Sequence, residues 1–160
     1  MADGITKQFD NLMCVDIAEM LNAYIDKYEQ IIPVIQNMID EAAEQVFKDI
    51  ENKVLSEHFV TGNLVASLEM TPLVDNAKVN PKKYGYNIEF KGENAQGIPY
   101  AKIANVLNFG REAGETKFGK KYGAIEGTHF IDEAIRPLKG LTNRINQRIE
   151  KLLQDEENKQ

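Results

Sequence analysis

Apolar residues fall along this chain in distinct rhythms, and each change of rhythm marks a change of element. Leu21, Ile25, Tyr28, Ile32, Ile35, Ile39, Ala42 and Val46 are spaced by alternating steps of four and three. That spacing sets them on one stripe of a helix. Past Val46 the seven-residue repeat meets Asp49 and Lys53, and the apolar face drifts to Phe47, Ile50 and Val54. An ordinary α-helix drifts in this way. Pro33 lacks a backbone donor and crowds the preceding turn. The pattern therefore predicts two helices, or one kinked helix, with the second starting near Pro33. The second would run about 22 residues, roughly 33 Å. A stripe this short with a proline in it suits packing across a sheet better than a coiled-coil dimer.

The rhythm then changes to period two. Leu68-Glu69-Met70-Thr71 alternates, with Pro72 marking an edge or an end. In Tyr84-Gly85-Tyr86-Asn87-Ile88-Glu89-Phe90, apolar positions alternate with Gly, Asn and Glu, the cleanest strand signal in the chain. Between them, Asp75-Asn76 and Asn80-Pro81 read as turns. Tyr100, Ile103, Ala104 and Leu107 share a helical face, with Pro99 suited to the helix start and Gly110 to the left-handed position past its end. Residues 110–127 hold five glycines and a mixture of charges, a long flexible loop or a loose hairpin. Helical spacing returns from Phe130 to Leu153, with Thr128 as candidate N-cap and a break at Pro137 and Gly140. The tail from Asp155 to Gln160 is polar and expected to fray.

The reading is an α+β fold. Long N-terminal helices pack on a small, mainly antiparallel sheet, with a short middle helix and a C-terminal helix. It is one domain over residues 1–160: an N-terminal helical region at 14–56, a sheet with a short helix and a glycine-rich loop at 57–127, and a C-terminal helix at 128–154.

Composition narrows the class. Hydrophobic residues make up 42% and charged residues 28%, enough for a core and ordinary for a folded chain. No stretch approaches the ~20 consecutive apolar residues of a membrane span, so no membrane partner is expected. Met1 to Thr6 lacks the basic start and apolar centre of a secretory signal. The single Cys14 has no internal disulfide partner, and with two histidines an all-protein zinc site is not expected. A reducing cytoplasm suits this composition. The net charge of −6 is unevenly spread: residues 1–70 carry 13 acidic and 4 basic side chains, and the rest carry 12 acidic and 15 basic. Unlike surfaces on one subunit favour head-to-tail contacts.

Candidate chemistry is sparse. Gly114-Glu115-Thr116-Lys117-Phe118-Gly119-Lys120-Lys121 nearly matches a phosphate-binding loop, but Lys121 lacks the hydroxyl that would hold magnesium. Tyr122 to Gly127 is also a poor helix start. His58 follows a helix end, where a cation suits the helix dipole, and His129 precedes Phe130. Both are read as structural or exposed. Ser56 has no nucleophile-elbow context. Adjacent acid pairs such as Asp40-Glu41 and Asp132-Glu133 point about 100° apart on a helix and share no site. No catalytic, cofactor-binding or metal residue is assigned, and no cofactor is expected.

Three segments come in an ordered series: Val60-Thr61-Gly62-Asn63-Leu64-Val65-Ala66-Ser67-Leu68, then Tyr100-Ala101 leading to Asn108-Phe109-Gly110, then His129-Phe130-Ile131-Asp132-Glu133-Ala134-Ile135. With Glu41-Ala42-Ala43-Glu44 before them, over about residues 15–153, they resemble the siphophage tail-component family of head–tail joining, or tail-completion, neck proteins. The tenth gene product of a lambda-like phage typifies that family. Val65, Asn108, His129 and Glu133 depart from the family's usual arginine, glutamate and two prolines.

The resemblance implies a non-enzymatic structural subunit of the virion at the head–tail junction, assembled in the bacterial host cytoplasm. Its partners would be itself in a ring, such as a hexamer, and the phage connector or stopper and tail-tube or tail-terminator proteins. DNA would be passing cargo. Thr61, Gly62, Asn63, Leu64, Ser67, Tyr100, Ala101, Phe109, Gly110, Phe130 and Ala134 read as fold-determining. Tyr100, Phe109 and Phe130 are the large bodies expected to lock the helices onto the sheet. Partner contact is expected from the glycine-rich loop, through Arg111, Lys117, Phe118, Lys120, Lys121 and Tyr122. The alternative is a DNA-binding module using Lys117, Lys120 and Lys121.

Overall fold

The computed structural model describes residues 5–7, 12–16, 31–58, 61–73 and 83–158. It is an α+β fold with a long helix in its N-terminal half and a C-terminal helix. Strands β1 (Ile5–Lys7), β2 (Leu12–Asp16), β3 (Leu68–Pro72) and β4 (Lys83–Phe90) form an antiparallel sheet in the order β1-β2-β4-β3. Helix α1 (Ile31–Glu57) lies against it. The one-turn α2 (Asn63–Ala66) turns the chain into β3. Then come α3 (Tyr100–Phe109), four two-residue strands (β5, Gly110–Arg111; β6, Gly114–Glu115; β7, Lys121–Tyr122; β8, Ile125–Glu126), α4 (Phe130–Ile135), a 3-10 turn (Arg136–Leu138) and α5 (Leu141–Glu157).

Helix α1 buries Ile31, Ile35, Ile39, Ala43, Val46, Ile50 and Val54. These steps of four and three keep one face inward over the whole helix. Each large side chain among them contributes about 1.5–3 kcal/mol on burial. Ala43 takes the core position expected of Ala42, which is only partly buried, as are Ile32 and Phe47. Pro33 is the third described residue of this helix, in keeping with a helix starting near it. Leu21, Ile25 and Tyr28, the first expected helix, and the turns at Asp75-Asn76 and Asn80-Pro81 lie outside the described residues.

The alternation of β4 is realised. Ile88 and Phe90 are buried and Tyr84 and Tyr86 half-buried, all packed with the core on the helix side. Both tyrosine hydroxyls donate to Asp40 Oδ1 on α1, at 2.6 Å each. On the other face Lys91, just past β4, pairs with Glu69 and Glu89 at 2.9 and 3.4 Å. Strand β3 pairs one edge of β4 with Leu68 opposite Phe90, and β2 pairs the other with Val15 opposite Tyr84.

That second pairing corrects the expected boundary of the helical region: residues 14–16 are strand, not helix. Leu12-Met13-Cys14-Val15 is a continuous apolar run without alternation, and β4 has a second edge that would otherwise be left open.

At the other end, α5 buries Leu141, Ile145 and Ile149 and continues to Glu157, past the expected stop at 154. The break before it falls where Pro137 and Gly140 predict. Gly140 takes φ 122°, and Arg144 Nη2 donates to the Pro137 carbonyl at 2.9 Å.

Candidate partner-contact site

The ends of three helices meet where the three sequence motifs come together. At the end of α3, Asn108 is completely buried. Its Oδ1 accepts the Ile131 N–H at 2.8 Å, and its Nδ2 donates to Asp132 Oδ2 at 3.0 Å. Its backbone carbonyl accepts the His129 N–H at 2.9 Å. The first turn of α4 is thus capped by a side chain from α3, which corrects the expectation for Thr128. The residue at the N-cap position is His129, held at φ 54° with no side-chain bond to the helix amides. Thr128 instead bonds outward. Its N–H and Oγ1 both reach the Leu107 carbonyl, at 3.0 and 3.3 Å. Its Oγ1 also meets His58 Nε2 at 2.9 Å. The His58 ring sits 5.1 Å from that of Phe130, which is fully buried.

The first motif makes the turn out of α1. Gly62 takes φ 76° and accepts the Ala66 N–H at 2.9 Å, as expected for a chain leaving helix for strand. The Asn63 N–H reaches Thr61 Oγ1 at 3.5 Å, a long contact. Ser67 is buried and donates to the Leu64 carbonyl at 2.7 Å. Leu64, Tyr100 and Ala101 pack partly buried against the core, and Ala134 is buried in it. Phe109 departs from the expectation of a locking residue. It is 48% exposed, with its ring edge-on to His129 at 6.4 Å. The helix turn that directs Asn108 inward directs its neighbour outward.

Residues 110–127 form a hairpin of two nested ladders, Gly110–Arg111 with Ile125–Glu126 and Gly114–Glu115 with Lys121–Tyr122. Its base requires glycine twice. Gly110 has φ 78° and ψ 179°, a region that only glycine occupies readily. A Cβ there would stand 2.6 Å from the Ile125 carbonyl oxygen, and one on Gly127 would stand 2.5 Å from the Phe109 carbonyl carbon. The two backbones therefore cross at a separation that admits no side chain. The tip closes by Gly119 N–H to the Thr116 carbonyl at 2.9 Å, with Gly119 at φ 81°.

Every residue from Arg111 to Ala124 is exposed. Arg111 lies over the Tyr122 ring at 4.7 Å and donates from Nε to the Gly123 carbonyl at 3.3 Å. Lys117 lies over the Phe118 ring at 5.0 Å, and Phe118 itself is 85% exposed. Lys120 donates its backbone N–H to Thr116 Oγ1 at 3.1 Å, while its side chain and that of Lys121 face solvent.

Beside the junction is a groove of about 590 Å³. Val54, Leu64, Tyr100, Ile103 and Leu107 supply apolar walls, and Glu57 is the one formally charged lining residue among the described residues. Its far wall is the loop 94–96, shaped by Asn94, whose Oδ1 accepts the Gln96 and Ile98 N–H groups at 3.0 Å each. A second depression of about 600 Å³ is lined by Asp49, Asn52, Lys53, Ser56, Glu133 and Ala134. There Lys53 pairs with Glu57 at 3.0 Å and Glu133 at 3.3 Å, and hydrogen bonds to both carboxylates hold its ammonium above the ordinary lysine value.

Among the described residues no group of three His, Cys, Asp or Glu side chains is placed to hold a metal ion. None of the described helices is long and apolar enough to cross a membrane. The phosphate-loop near-match lies in the hairpin, with Lys121 in a strand and not at a helix start. No family model, curated protein or solved structure matches this chain.

Sequence reasoning missed Asn108 as the hub of the junction, Gly127 as the partner of Gly110, and the groove. The polar residue inside the apolar run Val106-Leu107-Asn108-Phe109 was a usable signal for the first. The groove has none, because its two lining stretches, 54–65 and 94–107, meet only in the fold.

Proposed function

We propose that this chain is a non-enzymatic assembly subunit of a tailed bacteriophage, acting at the head–tail junction, with the hairpin 110–127 as its docking arm. One observation carries the docking role. The hairpin is anchored by a glycine pair that tolerates no side chain, yet from Arg111 to Ala124 it contributes no buried residue. A feature held so closely at its base and so free of the core is more economically explained by contact than by folding. The phage setting rests on the motif resemblance. In the fold the second and third motifs are bonded to each other through Asn108, where the family usually has glutamate, and the first faces the second across the groove. On this reading the subunit works in the virion, in contact with copies of itself and with connector and tail proteins, while DNA passes through.

The test exchanges the arm. Arg111 and Ile125 face each other in the ladder, so a two-residue Asn-Gly turn in place of residues 112–124 closes the stub. The expected outcome is a folded protein that fails to join heads to tails when it replaces the wild type during infection. Normal yield of tailed particles would refute the docking role. Steeply salt-dependent binding of the wild type to duplex DNA, lost in the exchanged protein, would instead favour a nucleic-acid role for Lys117, Lys120 and Lys121.

A further inference from the structure

We propose that the hairpin tip of one copy docks in the groove of a second copy, with Phe118 as the anchor; this rests on the hairpin being a docking arm and names the surface it meets. Phe118 is the most exposed of the large apolar side chains among the described residues, at 85%. An aromatic ring presented this way is a strong candidate for a binding hot spot when it fills an apolar pocket. The chain carries such a pocket. The groove holds about 590 Å³ and is walled by Val54, Leu64, Tyr100, Ile103 and Leu107, within the usual range of ~300–1,000 Å³ for a ligand cleft.

Charge agrees with shape. From Glu115 to Lys121 the tip carries three lysines against one acid, Glu115. Among the described residues the charged side chain lining the groove is Glu57, which shares the Lys53 ammonium with Glu133, at 3.0 and 3.3 Å, so that these three side chains keep one net negative charge. Lysines around the inserted ring would thus meet a rim of opposite sign, which speeds encounter and fixes orientation.

The exposure of Phe118 shows that the tip does not occupy the groove of its own chain. The tip and the groove are different surfaces, so one contact leaves a groove free on one copy and a tip free on the other. These either pair reciprocally in a two-fold dimer or recruit further copies head-to-tail into a ring or filament.

The test uses the full chain in sedimentation velocity over a range of concentrations and salt. Wild type is expected to self-associate, less strongly as salt rises. Phe118→Ala removes the anchor, and Ala95→Trp fills the groove from its exposed wall. Each is expected to weaken association by about tenfold or more, with circular dichroism unchanged because both positions face solvent. A mixture of the two restores one intact tip and one intact groove, and is expected to give 1:1 pairs that grow no further. Wild type that stays monomeric throughout would overturn the proposal. So would association indifferent to both substitutions, or a mixture that fails to pair. If the arm exchange abolishes head–tail joining while self-association is absent, the arm docks on a different protein; the proposed function then stands and this inference does not.

Discussion

Asn108 links α3 to α4 through both ends of its amide, and it does so with no access to water. A carboxylate there could accept from the Ile131 N–H but would face Asp132, whereas the amide donates to it. Removing the amide leaves the Ile131 N–H without its buried acceptor. Asn108→Ala is therefore expected to cost about 2–3 kcal/mol, measured by urea denaturation. A change below about 0.5 kcal/mol would show that water replaces the amide.

The glycines sort by the same kind of local argument. At Gly127 a methyl would sit against the backbone of Phe109 and Asn108, while at Gly123 nothing lies within 4 Å. Gly127→Ala is expected to destabilise by about 1–3 kcal/mol, and Gly123→Ala to stay within about 0.5 kcal/mol of wild type. Thermal unfolding of the pair separates the crossing at the base from the rest of the hairpin.

Helix α1 and strand β4 illustrate what element patterns do and do not disclose. The period-two alternation placed Ile88 and Phe90 inward, the four–three spacing placed Ile35, Ile39 and Val46 on one face, and the drift past Val46 reached Ile50 and Val54. Both signals are local, so a single sequence carries them. Strands β1 and β2 were not readable in this way, because an apolar run such as Leu12 to Val15 becomes a strand only when an edge is available to it. The groove was illegible for the same reason.

Where α1 meets β4, the hydrogen bond to Asp40 and then burial hold the Tyr84 hydroxyl above its ordinary range, and the same causes raise Tyr86. A raised acid keeps its proton in the folded state at pH values where the unfolded chain has lost it. The stabilisation is therefore complete below pH about 10 and declines as pH rises through the raised folded value. Tyr84→Phe is expected to cost about 1–2 kcal/mol at neutral pH and to make the alkaline loss of stability shallower than in wild type. Parallel slopes above pH about 10 would assign the pH dependence to other groups.

For the molecule as a whole, the structure separates what holds the fold from what it presents. Side chains of α1, β3, β4, α3, α4, the 3-10 turn and α5 share one core cluster, and none of residues 110–127 belongs to it. Replacing residues 112–124 by a two-residue turn should therefore change stability little. The two-residue ladders β6 and β7 are lost, but their residues are exposed, so little apolar burial goes with them. Against this loss, closing a much shorter loop recovers entropy on the order of 1 kcal/mol, at ~0.6 kcal/mol per halving of length. The ladder between Gly110–Arg111 and Ile125–Glu126, and the crossing of Gly110 and Gly127 beneath it, stay in place. The unfolding free energy of the exchanged protein is expected to lie within about 1 kcal/mol of wild type, with the same cooperative transition. A drop of several kcal/mol would mean that the hairpin is part of what folds the chain, and loss of head–tail joining in the same variant would then carry no information about docking.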